Sequence, residues 1–249
     1  MGKSRAANRE RLSHDIFKLT FDTDDCRFTG PGQYALIRVG GVFRPYQVCD
    51  YDSDRFTIVF KEDGRGGQDL LALNHDSVVE TVTGLGNGFD VDAVPDGAVL
   101  AADSMGVSEM LELARALLMR GKNYKVVLGY TNKDNIFMID SFRVICNEIE
   151  VVTLDGSNGR EGRPYDVIRN ADYVCASGSP GMLKELAARC ANGQFSLSDM
   201  MLRTADEGGD FRVETTEGDK RCVGDGPVFD KNIVVWDTLS LDRWNRSAY

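Results

Sequence analysis

The sequence has little of what most metal and nucleophile chemistry requires. It holds two histidines, His14 and His75, too few for a histidine-built metal site or a catalytic triad of the usual kind. Its six cysteines (Cys26, Cys49, Cys146, Cys175, Cys190, Cys222) are scattered, and no two stand at a C-x-x-C spacing, which removes the pattern of a zinc site or a dithiol redox pair. Free thiols of this kind pack as small apolar groups and fit a reducing, cytoplasmic compartment. No continuous apolar run reaches roughly 18 residues, so neither a membrane span nor a signal peptide is expected. Clustered basic residues are missing too, because the stretch 3–11 is interrupted by Ala6, Ala7, Asn8 and Glu10. With a formal net charge of −10 and a pI near 4.8, a polyanionic partner such as nucleic acid is disfavoured.

What is present is enough for a folded protein: 249 residues, 42% of them hydrophobic. Residues 15–90 alternate apolar and polar in short runs, as in Asp15-Ile16-Phe17-Lys18-Leu19-Thr20-Phe21 and Arg55-Phe56-Thr57-Ile58-Val59-Phe60, broken by Gly, Pro and Asp. That pattern predicts a small antiparallel barrel, with a brief helix or turn at 69–73. Beyond Pro95-Asp96-Gly97 the rhythm changes. Apolar strands are predicted at 98–102, 124–130, 149–154 and 173–176, and helices at 108–120, 135–146, 165–169 and 181–191. Strands alternating with helices predict a parallel, nucleotide-binding-like sheet. The fold class is therefore α/β plus β, in three regions: a barrel over 1–95, an α/β domain over 96–192 and a short C-terminal segment over 193–249. In that last segment only 211–215 and 232–236 read as strands.

Five strings, in order along the chain, narrow the family. Phe28-Thr29-Gly30-Pro31-Gly32-Gln33-Tyr34 resembles F-x-P-G-Q-F, Arg44-Pro45-Tyr46-Gln47-Val48 resembles R-P-x-S, and Gly84-Leu85-Gly86-Asn87-Gly88-Phe89 resembles G-P-L-G-N-G-F. Thr153-Leu154-Asp155-Gly156-Ser157-Asn158-Gly159 is similar to T-D-D-G-S-x-G, and Asp225-Gly226-Pro227-Val228-Phe229-Asp230 to D-G-P-V-F-D. Together they resemble the electron-transfer subunit of two-subunit dihydroorotate dehydrogenases, a ferredoxin-reductase-like flavoprotein of pyrimidine biosynthesis. The resemblance implies FAD on the barrel, a nicotinamide nucleotide on the second domain, a 2Fe-2S cluster near the C-terminus and a dihydroorotate dehydrogenase catalytic subunit as partner.

Set against the family pattern, some parts are kept and others lost. For FAD, the resemblance points to Arg44, Pro45, Tyr46, Gln47, Gly64, Gly66, Gly67 and Gly88. An arginine fork suits a pyrophosphate and a glycine-rich turn offers amides to an anion, although Gln47 stands where the family has a hydroxyl and Gly67 where it has a threonine. For the nicotinamide nucleotide, Ala102-Asp103-Ser104-Met105-Gly106 replaces a glycine-rich turn and sets a carboxylate where phosphate would lie, while Ser177-Gly178-Ser179 lacks the family's cysteine; NAD is therefore doubtful. For the cluster, Arg203, Gly208 and Phe211 fall where three cysteine ligands belong, and Cys222 alone cannot hold two irons, so the chain is expected to carry no 2Fe-2S centre and no metal. No catalytic residue is assigned. Two functions remain open: an FAD-bearing electron-transfer subunit, or a non-catalytic paralogue acting as an interaction or scaffold subunit. A flavin or nucleotide sensor is a weaker third.

Overall fold

The computed structural model describes residues 1–201 and 210–239. Six strands form a closed barrel: β1 (Gly2–Arg11), β2 (Ile16–Thr23), β3 (Tyr34–Val39), β4 (Val42–Tyr51), β5 (Arg55–Lys61) and β6 (Val78–Leu85), in the order β1-β2-β5-β4-β3-β6. All neighbours are antiparallel, and β6 closes the ring on β1. Inward residues of the alternating strands fill the interior, where the rings of Phe21 and Phe56 stack at 5.1 Å and Ile37 and Ile58 are fully buried. Helix α1 (Gly64–Leu71) follows β5 and seals one end with Leu70.

The second sheet has the order β10-β9-β8-β7-β11-β12-β15, where β7 is Ala98–Asp103, β8 Tyr124–Tyr130, β9 Ile149–Thr153, β10 Arg160–Glu161, β11 Ala171–Ser177, β12 Cys190–Ser196 and β15 Val228–Asp230. Every pairing is parallel except that of β15 on β12. Helices α2 (Gly106–Met119), α3 (Ile139–Ile145), α4 (Pro164–Val167) and α5 (Pro180–Ala187) cross between the strands. Helix α2 buries Val107, Met110, Leu111, Ala114 and Leu117, an i, i+3, i+4, i+7 stripe, and stops at Gly121, whose φ of +68 suits glycine past a helix end. A two-stranded hairpin, β13 (Arg212–Val213) with β14 (Lys220–Arg221), precedes β15.

Several boundaries differ from the sequence reading. Strand β1 was not expected, because its inward positions Ser4 and Ala6 are small or polar; the Ser4 hydroxyl pairs with that of Thr81 at 2.7 Å. The helix expected over 135–146 starts at Ile139, and the one expected to 191 stops at Ala187, after which Cys190 begins strand β12. That strand carries the α/β sheet past residue 192. The segment 211–215 is strand only at Arg212–Val213, and 232–236 contributes a single bridge, Val234 with Thr215.

The barrel, the α/β sheet and the C-terminal segment meet at Asn87. Its side chain donates from Nδ2 to the Val228 carbonyl at 2.6 Å and accepts from the Val228 N–H at 3.1 Å, while its own backbone N–H bonds Gly226. The Tyr34 hydroxyl, from the barrel, donates to Val223 O at 2.7 Å.

Candidate functional site

Strand β4 places Arg44, Pro45, Tyr46 and Gln47 opposite Ile37, Leu36, Ala35 and Tyr34 of β3. The Tyr46 ring is buried, and its hydroxyl donates to Gly66 O at 3.2 Å. Gly64, Gly66 and Gly67, expected in a loop, form the first turn of α1. Its N-cap Asp63 makes no side-chain cap bond, so no side chain of the cap takes up the amides of that turn. A Cβ on Gly66 would come within 2.8 Å of the Tyr46 hydroxyl and 3.0 Å of Arg44 Cδ, and one on Gly67 within 2.1 Å of Lys61 O. Glycine here lets the helix start lie flat on the strand.

Between β4, β5, α1 and the segment after β12 lies a cavity of about 230 Å³, lined on the barrel side by Pro45, Tyr46, Gln47, Gly64, Gly66 and Gly67. Six of the eight residues singled out from sequence thus converge. Arg44 packs behind this wall, 4% exposed, with Nη1 donating to Val39 O at 2.9 Å and to Asp69 Oδ2 at 3.1 Å. Gly88 lies apart, at φ +67 against Pro31 O, and does not line the cavity.

Behind Gln47 and Ser198 of this lining lies a group that sequence reasoning missed. Glu109, on the first turn of α2, is fully buried, and its Oε2 accepts from Gln47 Nε2 at 2.6 Å, Ser177 Oγ at 2.6 Å and Ser198 Oγ at 3.0 Å. Ser196 donates in turn to Ser198 at 2.9 Å. Burial pushes the Glu109 carboxyl up from its ordinary range, and the hydroxyl and amide donors partly pull it back. These residues are 62 to 89 positions from Glu109, so no local pattern announces them.

A second cavity, about 410 Å³, opens at the carboxyl ends of β7, β8 and β9 and shares Lys61, Ser104 and Met105 with the first. This is the point where the strand order reverses, the usual ligand position of an open α/β sheet. Here Asp103 turns toward the end of β11: Oδ1 accepts from the Ser179 N–H and Oδ2 from the Ser179 hydroxyl. Ser179 is itself the N-cap of α5. Burial pushes the Asp103 carboxyl up to about 6, against the pull of those two donors. Gly178 is held at φ +147, and a Cβ there would strike Asp103 Oδ1 at 2.1 Å; Gly106 has Ser177 O equally close. The turn that stands in place of the glycine-rich dinucleotide turn is thus used to pack α2 on β11. Thr153 and Asp155 close the 153–159 loop on itself, through Asn158 and Ser157.

No family model matches the chain. Among curated proteins it is 30% identical over 253 residues to the dihydroorotate dehydrogenase B (NAD(+)) electron transfer subunit of Lysinibacillus sphaericus, covering 94% of this chain and 98% of that one. The chain belongs to this electron-transfer subunit family. The subunit of Bacillus caldolyticus is 33% identical over 82% of this chain and 86% of its own. Among solved structures, a chain of an NADH-dependent reduced ferredoxin-NADP oxidoreductase superposes with a TM-score of 0.80 at 23% identity, covering 94% of this chain and 90% of that one. Phthalate dioxygenase reductase gives 0.64 at 18% identity, over 75% of this chain and 63% of that one. The fold is ferredoxin-reductase-like, as the motifs implied.

Of the positions that fall where the family has cluster cysteines, Arg203 and Gly208 lie outside the described residues. Phe211 packs against the core, and Cys222 is fully buried with its thiol pushed up by burial. Among the described residues no three potential metal ligands come together, and no helix is long and apolar enough to cross a membrane.

Proposed function

We propose that this chain is an FAD-bearing electron-transfer subunit of a dihydroorotate dehydrogenase-type complex that works without an iron–sulfur cluster. The observation that supports FAD most directly is the cradle at the start of α1: two buried glycines against Tyr46 and Lys61, an uncapped first turn, and the Arg44 guanidinium behind it. The amide of Gly66 would hold the anionic part of the cofactor, with Arg44 bracing the turn from behind. Pro45, Tyr46 and Gln47 would flank its ring system, and at about 230 Å³ the cavity suits part of a large ligand whose remainder lies on the surface. Flavin supplies exchange of electrons singly or in pairs.

Asp103 argues against a nicotinamide nucleotide in its usual place, since its carboxylate already takes the two donors of Ser179. Arg203, Gly208 and Phe211 offer iron no thiolate. Electrons would then pass between FAD and a redox group of the partner subunit with no relay inside this chain. The absorbance spectrum of the purified protein tests the reading: the two bands of oxidised flavin, released on denaturation as FAD, are expected. A colourless protein that neither takes up added FAD nor associates with a dihydroorotate dehydrogenase catalytic subunit would favour the scaffold alternative and sink this one.

A further inference from the structure

The hub around Glu109 constrains what the first cavity can offer a ligand. Three donors converge on Glu109 Oε2, from Gln47, Ser177 and Ser198, while Oε1 has no hydrogen-bond partner among the described residues. If the carboxyl is ionised, both oxygens are acceptors. That form meets Gln47 as an acceptor at Oε2, where the Ser177 and Ser198 hydroxyls also donate. The orientation of a glutamine amide is decided by its hydrogen-bond network. Gln47 must therefore turn its nitrogen inward, where Nε2 reaches both Glu109 Oε2 and Ser198 Oγ. The carbonyl oxygen is the polar atom left for the cavity that Gln47 lines.

We propose that Glu109 is a positioning residue that fixes the Gln47 amide so that the cavity wall presents a hydrogen-bond acceptor, selecting a ring that offers N–H groups. This rests on the flavin reading above. Reduction adds hydrogens to two ring nitrogens of a flavin that are acceptors in the oxidised form, so a wall bearing an acceptor favours the reduced ring. The hydroxyl that the family pattern has at this position could donate or accept and would make no such choice.

Two measurements test this. In the apoprotein, the Gln47 side-chain NH2 resonances, assigned by their loss in Gln47→Met, should be protected from exchange in wild type and in Glu109→Gln, whose amide oxygen can replace Oε2, and unprotected in Glu109→Met. With FAD bound, the preference for reduced over oxidised flavin should fall about tenfold in Glu109→Met and in Gln47→Met, a drop in midpoint potential of about 30 mV for a two-electron couple. Glu109→Gln should stay near wild type. An unchanged potential in both methionine variants overturns the proposal, as does a Glu109→Gln shift as large as that of Glu109→Met, which would make charge the cause. Should Glu109→Met fail to fold, Gln47→Met and the wild-type exchange rates still decide. If no flavin binds, the functional reading falls and the selection of a reduced ring with it, while the apoprotein spectrum separately shows whether the amide is held.

Discussion

Asp103 grips Ser179 with both carboxylate oxygens, Oδ1 on the backbone N–H and Oδ2 on the hydroxyl, each at 2.6 Å. The N-terminus of an eight-residue helix, α5, is thereby supplied with an internal anion at the switch point of the sheet. A phosphate or other anionic ligand arriving there would meet a negative charge and donors already taken. Wild-type protein should accordingly show no saturable NADH binding by fluorescence titration, and Asp103→Gly should gain about tenfold or more in affinity, the worth of one or two freed charge-assisted bonds. Tight wild-type binding would reject this account of the turn.

The same carboxyl predicts a pH dependence. Its folded-state value is raised from 3.8 to about 6, so the folded protein holds this proton more tightly than the unfolded chain does. The resulting stability is fully present below about pH 4 and is lost as pH rises through about 6. Thermal melts of wild type and Asp103→Asn should show wild type losing ground to the variant across that window, by at most about 3 kcal/mol for a shift of some two units. A difference that is flat with pH, or grows in favour of wild type, contradicts it.

Gly66 and Gly67 separate binding from folding. A Cβ on Gly66 meets a tyrosine hydroxyl and an arginine stem, which can move, whereas one on Gly67 meets the Lys61 carbonyl at 2.1 Å, which cannot without shifting backbone. Gly66→Ala should weaken FAD retention on gel filtration with little change in apoprotein melting. Gly67→Ala should cost about 1–3 kcal/mol in the apoprotein itself. Equal melting temperatures for the two variants would refute the distinction.

Iron offers the most direct check on the cluster. Protein purified anaerobically should contain iron and acid-labile sulfide far below stoichiometric amounts, since Arg203, Gly208 and Phe211 bring no sulfur to the positions where the family has cysteine. A binuclear iron signal on reduction would be decisive against it.

How far these features could be seen in the sequence depends on what each residue contacts. Strands β2 and β5 were legible because their apolar residues alternate against one core. Strand β1 was not: most of its residues are exposed or half-buried, and its partners are hydroxyls and surface ion pairs such as Arg5 with Asp22. Helix α1 was read mainly as a loop because three glycines argue against a helix, while the burial of Leu70 argues for one only in three dimensions. Strand β12, with Ala, Asn, Gly and Gln among its seven residues, is held by pairing on both edges rather than by propensity. At the site, glycine and arginine positions were marked by short strings, yet the partner of Gln47 is a glutamate 62 residues away that only the packing of α2 on the barrel supplies.

The Asn87 amide, imitating a strand edge toward Val228, joins the barrel to a tail segment that is itself a strand of the α/β sheet. Heat that loosens the tail must then uncover the faces of both larger units at once. Calorimetry should record one cooperative endotherm instead of two, and truncation just before Val228 should split it.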